Sequence, residues 1–180
     1  MGNWFIVDEA SISGQHDAAI RRSLVLAFPA EAAGFASTRA WHGSNPSFSV
    51  VYEERDGTVL AHAGVVDRMV TAGEAPVRVA GIMNVFTLPA VRGRGFGKEI
   101  LRRAMDEADA RSFDIGMLFC DASLTAYYAS LGWRESRGAE AVRVENGLRL
   151  PLPEKNAAMV FPLRLSALPG GTVHLGGNDW

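Results

Sequence analysis

The 180-residue chain has one cysteine, Cys120, and four histidines. A single thiol cannot form an intrachain disulfide and excludes a zinc site built on several thiolates. It fits a reducing compartment. His16, His42, His62 and His174 are scattered without metal-ligand spacing, so no metal is expected. Neither sign of charge dominates: 18 Lys+Arg stand against 20 Asp+Glu, a formal net charge of -2. That balance removes the bulk electrostatic case for a nucleic-acid or membrane-surface partner. No apolar run approaches the roughly 18 residues that cross a bilayer. The start, Met1-Gly2-Asn3-Trp4-Phe5, lacks the basic and long apolar regions of a signal peptide. A myristoylation start would want Ser or Thr at position 6, where Ile6 stands. The expected location is cytoplasmic, with no membrane partner.

No internal repeat, low-complexity tract or long linker interrupts the chain. With 48% hydrophobic and 21% charged residues, the composition is that of a globular protein. The length fits one domain over 1–180. Trp4 to Val7 reads as a short strand. Asp17 to Phe28 reads as a helix, with Ile20, Leu24 and Phe28 four apart on one face and Pro29 closing it. Glu31 to Trp41 is expected to hold a second short helix. Phe48 to Tyr52 is a strand, Asp56-Gly57 a hairpin signal, and Val59 to Val70 a long strand. A turn over Gly73 to Pro76 leads into Val77 to Thr87, another β-branched run. A helix is expected from Gly97 to Arg111, its buried stripe marked by Ile100, Leu101, Ala104, Met105 and Ala108. Ile115 to Phe119 is a short apolar strand, and Ser123 to Ser130 a helix ended by Gly132 in a left-handed cap. Asn146-Gly147 is a second hairpin signal, and Ala158 to Leu163 reads as the final strand. Strands alternating with helices give an α/β or α+β sheet with helices packed on it.

The most informative residues are Arg92-Gly93-Arg94-Gly95-Phe96-Gly97-Lys98, between a strand and a helix. Glycines let a backbone turn tightly and approach a ligand. The first N–H groups of the following helix lack intrahelical partners and, with the helix dipole, favour an anion. A pyrophosphate suits this arrangement, with Arg92, Arg94 and Lys98 around it. Two phosphate motifs fail. A Walker loop needs glycine where Arg92 stands and Ser or Thr where Glu99 stands, and the dinucleotide fingerprint does not match Gly93, Gly95, Gly97. Taken alone, a glycine loop equally fits a flexible turn capping a surface helix.

In context, Val85-Phe86-Thr87-Leu88-Pro89-Ala90-Val91-Arg92-Gly93-Arg94-Gly95-Phe96-Gly97 resembles motif A of the GNAT (GCN5-related) N-acetyltransferases. Arg92, Gly95 and Gly97 fill its Arg/Gln-x-x-Gly-x-Gly/Ala pattern. The resemblance implies a GNAT fold: a mixed, mostly antiparallel central sheet with helices on both faces. It implies that loop amides from Arg92 to Lys98 hold the pyrophosphate of acetyl-CoA, and that the main chain of Val85, Phe86 and Thr87 lies along the pantetheine. Tyr127-Tyr128-Ala129-Ser130-Leu131-Gly132-Trp133 resembles the second family signature, a helix ending in Tyr before a Gly-aromatic pair. By its spacing to Gly132-Trp133, Tyr128 is the residue expected to protonate the departing thiolate. Members of the family commonly carry a Glu on the strand before motif A as general base. Gly81-Ile82-Met83-Asn84-Val85 has no carboxylate; Asn84 is the candidate for orienting a water, with Asp121, Glu53, Glu54 or a group near the C-terminus as alternatives. Nothing near Cys120 marks a nucleophilic thiol.

Thr38 to Pro46, Val59 to Arg68 and the Arg149 to Pro153 segment look like the nodulation N-acyltransferases of NodA type. The Ala61-His62-Ala63 strand and the Gly177-Asn178-Asp179-Trp180 end also resemble the aminoglycoside 2'-N-acetyltransferases. That second likeness implies that Asp179 and Trp180 contact a cationic substrate. The expected activity is acetyl transfer from acetyl-CoA to a primary amine of a small polar acceptor, such as an amino-sugar. Alternatives are a longer acyl chain delivered by CoA or acyl carrier protein, and a non-catalytic CoA-binding protein. A homodimer through strand edges is a further option.

Overall fold

A computed structural model describes residues 2–136, 140–153 and 156–180. In chain order the elements are β1 (Asn3–Asp8), α1 (Gly14–Ala27), α2 (Ala32–Phe35), β2 (Phe48–Glu53), β3 (Val59–Ala72), β4 (Ala75–Thr87) and α3 (Phe96–Ala110). There follow β5 (Ile115–Asp121), α4 (Thr125–Ser130), β6 (Arg134–Glu135), β7 (Ala141–Glu145), β8 (Leu148–Pro151), β9 (Asn156–Pro162) and β10 (Val173–His174). The helix expected over Glu31 to Trp41 is only one turn long, preceded by a 3-10 turn at Pro29–Glu31. Ser37 Oγ donates to the Gly34 carbonyl at 3.1 Å, and Thr38 Oγ1 accepts from the Ala40 N–H at 3.0 Å. Such local bonds offer the backbone an alternative to helix. The strand expected to be last, Ala158 to Leu163, is β9, and the two-residue β10 follows it.

The chain divides into two compact units. The first comprises Met1–Trp41, Asn45–Val65 and Met83–Ala104. In it β1 pairs antiparallel with β2, and β2 with β3. Ser13 caps α1 by accepting from the His16 N–H. Ile20 and Leu24 then face Val7, Phe35, Val51, Val59, Phe86 and Leu88 in one apolar cluster. Phe28, just past the helix, has its ring 5.8 Å from Phe35, 6.2 Å from Trp41 and 6.4 Å from Phe86.

Buried polar side chains in this unit include Arg39 and His62, and both make hydrogen bonds. Arg39 meets the carboxylates of Asp17, at 2.8 Å, and Glu9. His62, 1% exposed, stacks on Phe86 at 5.5 Å. Its Nδ1 lies 2.9 Å from the Asn84 carbonyl oxygen and its Nε2 3.1 Å from Ser49 Oγ. A carbonyl only accepts, so Nδ1 carries the hydrogen and the Ser49 hydroxyl donates to Nε2. Burial holds the ring neutral, with its pKa lowered to about 4.

The second unit comprises His42–Ser44, Val66–Ile82 and Met105–Trp180. Its sheet runs β6-β9-β5-β4-β3-β10-β7-β8. Two of its pairings, β4 with β5 and β10 with β7, are parallel. The β5·β9, β6·β9, β10·β3 and β7·β8 pairings are antiparallel. The mixed, mostly antiparallel α/β class is thus the one expected. Helix α3 makes the crossover that the parallel β4–β5 pairing requires. At Asn146 (φ 51) and Gly147 (φ 78) two left-handed residues close the β7–β8 hairpin, as the Asn-Gly pair indicates.

Gly81 leaves room for an indole. A Cβ there would lie 2.5 Å from the buried Trp180 ring. Gly81→Ala is therefore expected to cost roughly 1–3 kcal/mol through overpacking, read by urea denaturation. A second expectation concerns acid. Native His62 stays neutral down to about pH 4, whereas an unfolded histidine takes up its proton near pH 6.5. Between those values the unfolded state holds the extra proton, so stability falls as pH falls. The His62 contribution is about 3 kcal/mol across pH 6.5 to 4. His62→Asn should flatten that part of the stability–pH curve; an unchanged slope would refute the assignment.

Candidate functional site

Strand β4 changes step along its length. At Arg78 both backbone groups face β5: the carbonyl accepts from the Asp114 N–H at 2.9 Å and the N–H donates to the Asp114 carboxylate at 2.8 Å. Ten residues on, the Leu88 N–H faces β3 and donates to the Leu60 carbonyl at 2.8 Å. A regular strand returns to the same side every second residue. One residue between them must therefore be out of step. It is Asn84, the only non-glycine left-handed residue in the strand, at φ 51. A non-glycine residue in that region is strained and persists only where its surroundings hold it.

Beyond Asn84, the alternation set by Leu88 turns the backbone groups of Val85 and Thr87 away from β3. The β4–β5 register ends at Ile82–Leu118, so this side of the strand has no ladder among the described residues. Val85 and Thr87 are both half-buried, while Phe86 is buried in the apolar cluster with its ring on His62. Asn84 itself is 9% exposed; its Nδ2 donates to the Arg39 carbonyl at 2.9 Å.

The loop after β4 begins with a 3-10 turn at Pro89–Val91. Arg92, Gly93, Arg94, Gly95 and Lys98 are exposed. Gly93 (φ 71) and Gly95 (φ 81) are left-handed, and a Cβ on either would meet open space, so backbone conformation and not crowding calls for glycine. Among the described residues, the amides of Gly93, Gly95, Phe96, Gly97 and Lys98 have no hydrogen-bond acceptor; the next amide, Glu99, returns to the Gly95 carbonyl at 3.0 Å. A tight turn of left-handed glycines followed by a helix start can make an anion-binding concavity. Side chains brace it. Arg92 Nε donates to the Thr87 carbonyl at 3.1 Å, and Phe96 packs edge-on against Tyr52 at 4.7 Å and beside Trp4 at 5.7 Å. The Glu99 carboxylate is held by Arg102 and Arg103, chiefly by the Arg102 hydrogen bond, with its pKa lowered to about 2. It is thus paired along α3.

In the second unit Tyr128 lies in α4, 8% exposed, beside Tyr127 and Trp133. Burial pushes its phenol up to about 12, with the neighbouring Cys120 and Tyr127 adding to the shift. The group stays protonated at neutral pH. Gly132, at φ 92, is the left-handed helix end the sequence indicates. The Cys120 thiol is pushed up by burial, then by Asp121 and Glu135, which keeps it protonated and unreactive. Asp121 accepts from the Ser123 N–H at 2.9 Å and so caps the turn before α4.

Asp179 and Trp180, the expected substrate contacts, are each 3% exposed. One Asp179 carboxylate oxygen is 2.9 Å from His42 Nδ1 and 3.3 Å from Arg143 Nη1. Its carbonyl accepts from Ser44 Oγ, and Arg68 reaches the Asn178 carbonyl and Ser44. The Trp180 indole donates to the Met117 carbonyl at 3.2 Å and lies 5.1 Å from Phe119. Sequence reasoning passes over His42, which is left-handed at φ 47 with a side chain 48% exposed. The buried Asp179 carboxylate on Nδ1 fixes the orientation of the ring. Nothing in the sequence marks this pairing, which the fold makes by bringing His42 to the buried Asp179.

Among the described residues no helix is long and apolar enough to cross a membrane, and no group of three or more His, Cys, Asp or Glu could hold a metal. No curated protein matches the chain. A family model described as an acetyltransferase (GNAT) domain matches residues 18–136. Solved structures share the fold. An acyl-CoA N-acyltransferase from Pseudomonas aeruginosa is 20% identical with a TM-score of 0.61, over 89% of this chain and 99% of that one. The GNAT family N-acetyltransferase YhbS from Escherichia coli, in complex with CoA, is 16% identical with a TM-score of 0.62, over 97% and 89%. A GNAT family acetyltransferase from Brucella melitensis, in complex with acetyl-CoA, is 22% identical with a TM-score of 0.58, over 95% and 94%. The family match runs from α1 through the out-of-step strand and the glycine loop to the end of β6, more than half of the chain, and the protein belongs to the GNAT acetyltransferases.

Proposed function

We propose that the protein transfers the acetyl group of acetyl-CoA to a primary amine of a small polar acceptor. The observation that carries this reading is the run of amides without acceptors at Gly93, Gly95, Phe96, Gly97 and Lys98, on an exposed loop flanked by Arg92 and Arg94. A diphosphate suits it: five donors and a helix start for a doubly charged group. The CoA and acetyl-CoA bound to the YhbS and Brucella proteins support the same choice of donor. Pantetheine would then lie along the outward main chain of Val85 and Thr87. An amino-sugar is the acceptor class favoured by the likeness of the Gly177 to Trp180 segment. In that role Asp179, already on His42 and Arg143, would act chiefly by holding those two side chains.

The amine nitrogen attacks the thioester carbonyl carbon, the carbon–sulfur bond breaks, and an amide and a CoA thiolate result. Tyr128 gives its phenolic proton to the sulfur. The nitrogen's surplus proton leaves to a base outside the stretch Gly81 to Val85, which has no carboxylate; Asn84 serves by positioning, since an amide is no base. Holding donor and acceptor together supplies much of the rate.

Thermal-shift screening with acetyl-CoA, longer acyl-CoAs and amino-sugars tests the reading, since a ligand of the native state raises the melting temperature. Acetyl-CoA should do so, and a thiol-release assay over a panel of amines should then find turnover. No shift with any CoA thioester would sink the proposal. Gly95→Glu should weaken CoA binding at least about a hundredfold by calorimetry, or about 2.7 kcal/mol, with a modest fall in melting temperature because Glu must take the left-handed backbone at φ 81. Tyr128→Phe should lower kcat by roughly a hundredfold with CoA affinity nearly unchanged; equal turnover would remove the proton-donor role.

A further inference from the structure

We infer that His62 is a positioning residue for acetyl transfer: by donating from Nδ1 to the Asn84 carbonyl, it aims the Val85 amide outward at the thioester. The inference rests on the acetyl-CoA reading above and adds a residue to it.

A single peptide group joins Asn84 to Val85. A trans peptide is planar, and its C=O and N–H point in opposite directions. Fixing the Asn84 carbonyl therefore fixes the Val85 N–H. His62 sits on β3, and its Nδ1 is 2.9 Å from that carbonyl oxygen. The Val85 N–H then points away from β3, in agreement with the alternation set by the Leu88–Leu60 bond. Two independent features of the first unit thus give the same direction.

Left-handed geometry at an asparagine needs such an anchor. Asn84 is held at φ 51 by three contacts within the same unit: its carbonyl on His62, its Nδ2 on the Arg39 carbonyl, and the buried packing around it. The imidazole cannot swing away. Ser49, 0% exposed, donates to Nε2, and the ring lies nearly parallel to Phe86, at 16°. A side chain with both nitrogens committed and no access to solvent is unsuited to proton transfer, so its contribution is to orientation. An amide aimed at the thioester carbonyl stabilises the negative charge that develops there when the amine attacks. A donor set before the reaction begins costs no reorganisation.

The test separates this role from CoA binding and from mere folding. Three proteins are prepared: wild type, His62→Leu, which keeps bulk and loses the donor, and His62→Asn, which restores an N–H near the Nδ1 position. Backbone amide NMR is recorded with CoA and with acetyl-CoA, which differ by the acetyl carbonyl. In the wild type the Gly93–Lys98 amides should shift with both ligands, and the Val85 amide should move further with acetyl-CoA. In His62→Leu the loop shifts should persist while the acetyl-specific Val85 shift is lost. Its kcat should fall on the order of tenfold, less than the hundredfold or more that removing an oxyanion donor costs. His62→Asn should recover most of both. A Val85 response and kcat in His62→Leu equal to the wild type would overturn the inference while leaving the loop reading intact. Loop amides unmoved in the wild type would overturn the CoA reading itself. If His62→Leu does not fold, Ser49→Ala provides the decision: loosening the ring should reduce the acetyl-specific Val85 shift, and an unaltered shift would count against the role of His62.

Discussion

One out-of-step residue governs the donor side of this molecule. A β-strand with partners on both sides has no spare backbone groups to offer. Strand β4 has a partner on each side up to Ile82, and then Asn84 takes a left-handed turn that reverses the side on which later groups point. Val85 and Thr87 after it turn their backbone groups away from β3, and the chain leads into a loop whose amides at Gly93 and from Gly95 to Lys98 are without acceptors among the described residues. Backbone polarity that most of a fold consumes internally is thereby left for a ligand. The price is local strain, which the buried bonds of His62 and Arg39 to Asn84 offset.

The charges near the loop follow the same logic. Arg92 braces the end of β4, and the one carboxylate in the first turn of α3, Glu99, is neutralised by Arg102 and Arg103. A free carboxylate there would compete with an incoming phosphate for the helix start. In the second unit burial does comparable work on Tyr128, keeping the phenol protonated well above neutral pH. A thiolate leaving group needs a donor still holding its proton.

Much of this was legible in the residues themselves. The glycine spacing at 93, 95 and 97, the apolar stripe from Ile100 to Ala108 and the Tyr128 to Gly132 interval are local patterns, and local patterns survive into the fold. The step at Asn84 was not legible, because nothing in Gly81 to Val85 distinguishes a regular strand from an interrupted one; the bonds made there reach His62 and Arg39, more than twenty residues away. His62 itself reads as one scattered histidine until β3 and β4 are adjacent. Asp179 and Trp180 enter the sequence reading only as substrate contacts implied by a resemblance, with no sign of their surroundings. The fold buries both, since the Trp180 indole fills the space left by Gly81 and Arg143 and His42 meet the Asp179 carboxylate. Strand β10 escaped notice because two residues carry no periodicity.

In the proposed reaction, peptide nitrogens grip the diphosphate of the donor. Titration calorimetry comparing CoA with pantetheine, which has the same thiol arm but no pyrophosphate, tests it most directly. The account predicts measurable CoA binding that weakens with added salt, and little or no binding of pantetheine alone. Equal affinity for the two ligands, or CoA binding indifferent to salt, would contradict it.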